Sequence, residues 1–88
     1  MAWQVEYASK AVKQFKKLDP KQAKIILSWI EKNLLGCEDP RWIGKPLEGN
    51  LKDYWRYRVG SYRLVAKLED RRLVIVIVML GHRKGIYR

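Results

Sequence analysis

The chain has 88 residues, of which 48% are hydrophobic and 32% charged, and its formal net charge at pH 7 is +10. This length predicts one small domain over residues 1–88, the apolar fraction excludes a disordered polyelectrolyte, and the single cysteine, Cys37, excludes an intramolecular disulfide. The longest apolar run, Leu73 to Leu80, is far shorter than the roughly 20 residues of a membrane helix, and no export signal is recognisable, so we expect a cytoplasmic protein without a membrane partner.

The first predicted elements are a strand and a short basic helix. Trp3 to Tyr7 alternates apolar with polar side chains, which is the pattern of a strand with one face on a core. Ser9 is placed to cap a helix whose apolar side chains recur at spacings of three and four residues, with the intervening lysines largely facing solvent. The apolar side chains of this helix are Ala8, Ala11, Val12, Phe15 and Leu18.

A second helix is predicted to begin at Asp19-Pro20, because Asp is a good N-cap and proline at the first helical position loses no hydrogen bond. Gly36 suits a left-handed cap at its C-terminal end, so the two helices form a hairpin. Ile25 and Trp29 lie beside the core stripe, and burial is favoured for both over a docking patch. The core stripe itself comprises Ala23, Ile26, Leu27, Ile30 and Leu34.

The second half of the chain is predicted to be a loop followed by three strands. Residues 38–53 contain two prolines, two glycines and an asparagine without a clear period, which predicts a loop centred on Gly44 to Leu47. Both turns after it are short, so the strands form an antiparallel meander. The predicted strands are Tyr54 to Val59, Tyr62 to Glu69 and Arg72 to Leu80, joined by turns at Gly60-Ser61 and Asp70-Arg71.

The last of these strands is predicted to lie inside the sheet. Leu73 to Leu80 is apolar on both faces, which an outer strand of a small sheet would expose to water. We therefore expect it between the N-terminal strand and the Tyr62–Glu69 strand, with the helix hairpin on one face. The predicted fold class is α+β: an N-terminal strand, a two-helix hairpin and a three-stranded antiparallel meander in a small twisted sheet.

Positive charge is concentrated in the second half of the chain. Residues 41–88 hold 12 Lys and Arg against 4 Asp and Glu, residues 1–40 hold 7 against 5, and all eight arginines follow Pro40. A guanidinium group binds phosphate through two parallel hydrogen bonds and stays charged at any cellular pH, so RNA or DNA is the favoured partner. The alternatives are a charge that serves solubility and a charge that complements an acidic protein.

The candidate site combines arginines of two strands with the segment after the last strand. Alternation along Tyr54 to Val59 places Arg56 and Arg58 on one face, and Arg63 lies on the neighbouring strand. The segment after Leu80 can gather at the same end of a twisted meander. For Arg56 and Arg58, charge that protects an exposed sheet edge is an almost equally good interpretation. The segment after Leu80 contributes His82, Arg83, Lys84 and Tyr87.

Several reaction classes are excluded by the motifs that the sequence lacks. One His and one Cys far apart predict no metal site, no phosphate-binding glycine loop or GxSxG elbow is present, and no cofactor is implied. What remains is cleavage of RNA by its own 2′-hydroxyl, which needs cations at the phosphorane and groups that move a proton. Arg63 and Arg83 are the candidate cations. His82 is the candidate proton-transfer group, against the alternative of an ordinary surface histidine, and Tyr87 is a candidate for base stacking or for orienting the hydroxyl.

The ordered motifs resemble the RelE/ParE superfamily of bacterial and archaeal toxins from toxin–antitoxin systems. The likeness spans the chain, and no single motif in it is decisive. It rests on Val5 to Tyr7 with Ala11 to Leu18, on Gly44 to Leu47, on Trp55 to Leu64, and on Gly81 to Arg83 with Ile86-Tyr87.

The resemblance implies a microbial RNase-like fold and, for the RelE branch, metal-independent cleavage of messenger RNA in the ribosomal A site. It also implies a RelB-like antitoxin that wraps and inhibits the toxin, with operator DNA bound only through the antitoxin complex. In that branch, Arg63 matches the arginine that holds the scissile phosphate. The arginine after the last strand matches Arg83, the near-terminal tyrosine matches Tyr87, basic residues of the second strand correspond to Arg56 or Arg58, and some relatives carry a His where this chain has His82. Taken with the residue pattern, the predicted catalytic residues are Arg63, Arg83, Tyr87 and His82, and the predicted RNA-binding residues are Lys45, Arg56, Arg58 and Lys84.

Two other functions remain open on the sequence. ParE-type members of the superfamily poison DNA gyrase and lack the RNase residues, whereas Arg63, Arg83 and Tyr87 are present together in this chain and favour the RNase branch. The second alternative is a basic module that binds nucleic acid or an antitoxin without any chemistry.

Overall fold

The computed structural model describes residues 2–49 and 53–82, which form two α-helices, one short 3₁₀ helix and a five-stranded sheet. The helices are α1 (Ser9–Lys17) and α2 (Pro20–Asn33), and the 3₁₀ helix is Pro40–Trp42. The strands are β1 (Gln4–Tyr7), β2 (Lys45–Pro46), β3 (Tyr54–Val59), β4 (Tyr62–Glu69) and β5 (Val74–His82). The α+β class is confirmed, and the sheet has one more strand than predicted.

β5 lies inside the sheet, as its two-sided apolar sequence predicted. It pairs in parallel with β1, with Gln4 opposite Val74 and Tyr7 opposite Ile77, and antiparallel with β4. The strand order is β1-β5-β4-β3-β2, so the two short strands lie at the edges. Short strands are the ones that a small sheet can leave at an edge with little risk of pairing to another chain.

The bounds of β5 are shifted by two residues from the prediction. The turn before it extends through Leu73, whose φ of 52° is in the left-handed region, so the strand begins at Val74 and not at Arg72. At the other end the strand continues past Leu80, because Tyr62 at the start of β4 pairs with His82. The β3–β4 turn is Gly60-Ser61 as predicted, and the φ of +61° at Gly60 is one that glycine adopts without strain.

The core lies between the helices and one face of the sheet. Tyr57, Leu64 and Ile77 of the sheet are at most 1% exposed. Burying one aliphatic side chain such as Leu64 or Ile77 stabilises the fold by about 1.5–3 kcal/mol before the cost of chain ordering. The helices contribute the buried side chains Ala11, Ile26 and Ile30, and the C-cap residue of α2, Leu34, is buried as well. Within the described residues, neither helix is long and apolar enough to cross a membrane.

The two side chains beside the α2 stripe have different environments. Trp29 is half-buried and packs on the core, with its ring centroid 6.2 Å from that of Tyr57. Ile25 is 56% exposed, so the prediction that it is buried was wrong. Successive residues are turned by about 100° around a helix. Because Ile25 immediately precedes the fully buried Ile26, its side chain is turned away from the core toward solvent.

The caps of the helices follow the prediction for α2 but not for α1. Asp19 Oδ1 accepts a hydrogen bond from Lys21 N at 3.2 Å with proline in the first turn, and Gly36 has a φ of +80°. In α1 the N-cap is Ala8, and Ser9 is the first helical residue. The reason is the sheet, since Ala8 N donates to Ile77 O at 2.9 Å and extends the β1–β5 pairing up to the helix.

The segment predicted as a continuous loop contains β2 and the 3₁₀ helix. Lys45 pairs with Arg56 and Pro46 with Trp55, and Leu47 N donates to Tyr54 O at 3.0 Å. Proline lacks the N–H that an interior strand needs, but an edge strand tolerates it. Two residues, one of them proline, are too few for a periodic pattern, so the sequence did not predict this strand.

Gln14 in α1 supports the end of β5. β1 ends opposite Ile77, and further along β5 the Leu80 N–H donates to Gln14 Oε1 at 2.8 Å. We expect Gln14→Ala to lower the free energy of unfolding by about 1–3 kcal/mol, because the substitution removes the acceptor of a partly buried N–H. Thermal unfolding measures this as a fall of about 4–8 °C per kcal/mol. Gln14→Glu keeps the acceptor and is the control; equal losses in both variants would contradict the role of this hydrogen bond.

Candidate nucleic-acid interface

The alternation of β3 and β4 brings three arginines together on the sheet face opposite the helices. Tyr57 and Val59 are buried on the helix side of β3, so Arg56 and Arg58 project from the other side. Arg63 of β4 lies directly opposite Arg58 and precedes the buried Leu64. Gly81 is the partner of Arg63 on β5, and it adds no side chain there.

These arginines and Lys45 surround an open pocket of about 200 Å³. Lys45 is opposite Arg56, and Arg58 is opposite Arg63, so the pocket contains two directly opposed pairs of like charge. Like charges directly opposite each other repel, so this face of the sheet concentrates positive charge where an anion would be attracted. The pocket is lined by Ile43, Gly44, Lys45, Arg56, Arg58 and Arg63, and none of these described residues carries a carboxylate.

A hydrogen bond from the core residue Tyr57 holds the segment that carries Ile43 to Lys45. The buried Tyr57 hydroxyl donates to Pro40 O at 3.0 Å. Burial raises the pKa of Tyr57 far above its ordinary value, so the hydroxyl remains a donor at any physiological pH. The Asp39 carboxylate accepts from Arg41 N at 2.9 Å and thereby caps the 3₁₀ helix.

Arg41 ties the same segment to the β4–β5 turn. Its guanidinium donates two hydrogen bonds to the Asp70 carboxylate, at 3.0 and 2.7 Å. This contact lowers the pKa of Asp70 and raises that of Arg41. The stabilisation is therefore present above the ordinary pKa of an aspartate and is lost as pH falls through the lowered one. Since the pair is largely exposed, its contribution is about 0.2–1 kcal/mol.

Gly44 allows β2 to approach β3 closely. A Cβ at this position would lie 2.6 Å from Arg56 O and 2.6 Å from Cε1 of Tyr57. Both neighbours are fixed, the first in the β3 backbone and the second in the core. The pocket wall at Ile43 to Lys45 therefore depends on glycine for space.

Comparison with known proteins identifies the family. A family model described as the ParE toxin of the type II toxin–antitoxin system parDE matches residues 5–87. The chain belongs to this toxin family. The toxin is 30% identical over 88 residues to Toxin RelG of Mycobacterium tuberculosis. The aligned region covers 100% of this chain and 99% of that protein. These two findings confirm the resemblance to the RelE/ParE superfamily.

Solved structures confirm the fold of the toxin. The toxin–antitoxin complex RelBE2 from Mycobacterium tuberculosis matches it with a TM-score of 0.84 and 26% identity, over 94% of this chain and 93% of that chain. The archaeal RelE–RelB complex from Pyrococcus horikoshii matches with a TM-score of 0.72 and 23% identity, over 98% and 100%. The protein is therefore a toxin of a type II toxin–antitoxin system with a RelE-like structure.

The toxin brings together four of the eight residues predicted for the site. Lys45, Arg56, Arg58 and Arg63 line the pocket. Ile43, the apolar side chain of the lining, was not predicted from the sequence; the available signal was an apolar residue directly before Gly44-Lys45. The predicted residues Arg83, Lys84 and Tyr87 lie outside the described part of the chain.

His82 lies at the same end of the sheet as the pocket but on the other face. It pairs with Tyr62, and the two ring centroids are 5.5 Å apart in an edge-to-face arrangement. The next pair inward on this face, Leu64 and Leu80, is buried in the core, so Tyr62 and His82 project from the helix side. The structure therefore does not bring His82 into contact with the arginine pocket, and its part in proton transfer stays a prediction.

Proposed function

We propose that this toxin is an endoribonuclease of the RelE type, which cleaves messenger RNA in the ribosomal A site without a metal cofactor. The observation that carries the proposal is the pocket of Lys45, Arg56, Arg58 and Arg63. Its volume of about 200 Å³ leaves space for a phosphodiester group. Three guanidinium groups match the paired oxygens of phosphate, and the surrounding excess of positive charge attracts RNA.

In the proposed reaction the RNA supplies its own nucleophile. The 2′-oxygen attacks the adjacent phosphorus, the bond from phosphorus to the 5′-oxygen breaks, and the products are a 2′,3′-cyclic phosphate and a 5′-hydroxyl end. The proton of the 2′-hydroxyl is released and one proton is delivered to the leaving 5′-oxygen, so the balance is neutral. Arg63 and its cross-strand partner Arg58 would hold the non-bridging oxygens, whose negative charge increases in the transition state.

Lys45 and Arg56 are proposed to hold the neighbouring backbone of the message. Their pairing places them along the sheet from Arg58 and Arg63, which gives the pocket an extended basic wall. Arg83 and Tyr87 are proposed to complete the site from the end of the chain, as the resemblance implies. In the A site, these residues would contact the message only where the ribosome presents it as an extended single strand.

The experiment that tests the function is induced expression in bacteria combined with mapping of the ends of cellular transcripts. We expect growth arrest and new 5′-hydroxyl ends inside translated codons. The same ends should form on ribosome-bound message in a translation extract. Intact messages, both in cells and in the extract, would contradict the proposal.

Inhibition of DNA gyrase is the second candidate, because the matching family model describes a ParE toxin. A gyrase inhibitor would leave messages intact and would stop supercoiling of plasmid DNA by purified gyrase. The two opposed cation pairs, Lys45–Arg56 and Arg58–Arg63, favour the RNase, since a protein target does not require four cations around one pocket.

A RelB-like antitoxin is the proposed protein partner, since RelBE2 and the archaeal RelE were solved as complexes with their antitoxins. We propose that an acidic amphipathic segment of the antitoxin binds the apolar groove of about 270 Å³ between α1 and α2. Four lysines on α1 complement an acidic segment, and Val12 is 39% exposed in the groove. The groove is lined by Tyr7, Val12, Phe15, Lys16, Ala23 and Leu27.

Val12→Asp is expected to weaken antitoxin binding by at least about tenfold, because it places a charge in the apolar groove and opposes an acidic segment. Cleavage by the free toxin should not change, since the groove is on the helix side of the sheet. Ser28→Asp adds the same charge at an exposed position of α2 and is the matched control. Calorimetric titration with the antitoxin measures both; equal affinities for the two variants would place the antitoxin elsewhere.

A further inference from the structure

Trp42 is the exposed tryptophan of this protein. Its exposure is 74%, whereas Trp3 is 4% exposed and Trp29 and Trp55 are half-buried against the core. The neighbouring Ile43 is also exposed, at 42%. Tryptophan offers a large apolar face and is enriched at interfaces, so an exposed one beside a second exposed apolar residue suits a binding contact.

The position of Trp42 is fixed by its surroundings. It ends the 3₁₀ helix, where its N–H donates to Asp39 O at 3.1 Å and the next N–H, of Ile43, donates to Pro40 O at 3.3 Å. Pro40 is buried and accepts the hydrogen bond of Tyr57. The backbone that carries the indole ring is therefore already ordered, which lowers the entropy cost of using the ring to bind a ligand.

Trp42 directly precedes, in sequence, residues that line the arginine pocket. Ile43 and Gly44, the next two residues, line the pocket, and consecutive Cα atoms are about 3.8 Å apart. Single-stranded nucleic acid is bound by this combination of cations for the backbone and an aromatic face for a base. A protein partner would cover the apolar residues equally well, but it gives no reason for their continuity with four cations.

We propose that Trp42 stacks on the base of a nucleotide next to the phosphate held in the pocket, with Ile43 packing against the same nucleotide. This inference rests on the proposed RNA substrate and adds a base-binding position to it. Because every base has an aromatic face, the contact fixes the position of the strand without strong preference for one base.

The test is binding of a single-stranded RNA of about eight nucleotides, fully 2′-O-methylated so that it cannot be cleaved, measured by fluorescence anisotropy over a range of salt concentrations. We expect Trp42→Ala to weaken binding roughly 5- to 150-fold and Trp42→Phe to recover part of the loss. The slope of affinity against salt should not change, because no phosphate contact is lost. Arg58→Ala, by contrast, should reduce that slope by about 0.7.

A second oligonucleotide separates stacking from other effects of the substitution. On an RNA whose bases are replaced by abasic sites, wild type and Trp42→Ala should bind equally. The inference is overturned if wild type and Trp42→Ala bind the base-containing RNA equally, or if the wild type does not bind it at low salt. It is also overturned if Trp42→Ala loses as much affinity for the abasic RNA as for the base-containing RNA. So would a Trp42→Ala variant that loses only antitoxin affinity, since the surface would then belong to that partner.

The proposed RNA cleavage and the proposed base-binding position of Trp42 can be contradicted separately. If wild-type toxin leaves ribosome-bound message intact while Trp42→Ala still weakens RNA binding selectively, the cleavage function is wrong and the base-binding position stands. If wild type cleaves and Trp42→Ala neither binds nor cleaves differently, the base-binding position is wrong and the function stands.

Discussion

Arg63→Ala is expected to reduce the rate of message cleavage by about 100- to 1,000-fold, the usual loss when one donor to a transition-state oxyanion is removed. Arg63 lines the cationic pocket from β4, with Arg58 opposite it on β3 and Gly81 opposite it on β5. The chain presents the guanidinium on a strand, which holds it more firmly than a loop would. The measurement is the rate of cleavage of ribosome-bound message in a purified translation system.

Arg71→Ala is the matched control for Arg63→Ala. Both variants lose one positive charge, but Arg71 is exposed in the β4–β5 turn beyond the far end of β4. If RNA is attracted only by net charge, the cleavage rate should fall equally in both variants. If Arg63 acts on the phosphate in the pocket, the rate should fall much further in Arg63→Ala. Arg63→Lys keeps the charge and loses the planar fork, so an intermediate rate is expected. Cleavage that is unchanged in Arg63→Ala would remove the pocket from the mechanism.

The arginine face could be predicted because strand alternation is a local property. The polar and apolar residues of β3 alternate without interruption, and the short Gly60-Ser61 turn fixes how β3 pairs with β4. Once Tyr57 is assigned to the core, Arg58 and its partner Arg63 must face the other way. The central position of β5 followed from composition alone, because its apolar side chains are too many for one face.

The face of His82 could not be predicted, because a β-bulge reverses the alternation of β5. Ile75 and Ile77 are both buried on the helix side, and uninterrupted alternation from them would place His82 with the arginines. The register shifts between Val65 and Ala66, so Leu80 returns to the helix side and His82 follows it. The sequence around the bulge is uniformly apolar, so it carries no signal of this shift.

Tertiary contacts decided the remaining differences from the sequence analysis. Ser9 is a good N-cap by type, but the pairing of Ala8 with Ile77 places the start of α1 one residue earlier. β2 exists because Gly44 lets the chain approach Arg56, and this is a contact between residues that lie far apart in the sequence. A local sequence pattern predicts neither the hydrogen bond between Ala8 and Ile77 nor the close approach of Gly44 to Arg56.

Gly44→Ala is expected to damage both the fold and the site. The new methyl group would lie 2.6 Å from Arg56 O and from the ring of Tyr57, closer than real Cβ contacts, so β2 must move away from β3. Overpacking of this kind costs about 1–3 kcal/mol, and each kcal/mol lowers the melting temperature of a domain of this size by about 4–8 °C. Because Lys45 pairs with Arg56 only in the close arrangement, cleavage should fall further than the unfolded fraction explains.

Gly36→Asn separates crowding from the backbone effect of losing a glycine. Gly36 has a φ of +80° with nothing within 4 Å of an added Cβ, and asparagine adopts this conformation at helix ends. We therefore expect nearly wild-type melting and cleavage for Gly36→Asn and a loss of both for Gly44→Ala. A Gly44→Ala protein that melts and cleaves like the wild type would mean that β2 can shift without cost, and the pocket wall would then not depend on its contact with Tyr57.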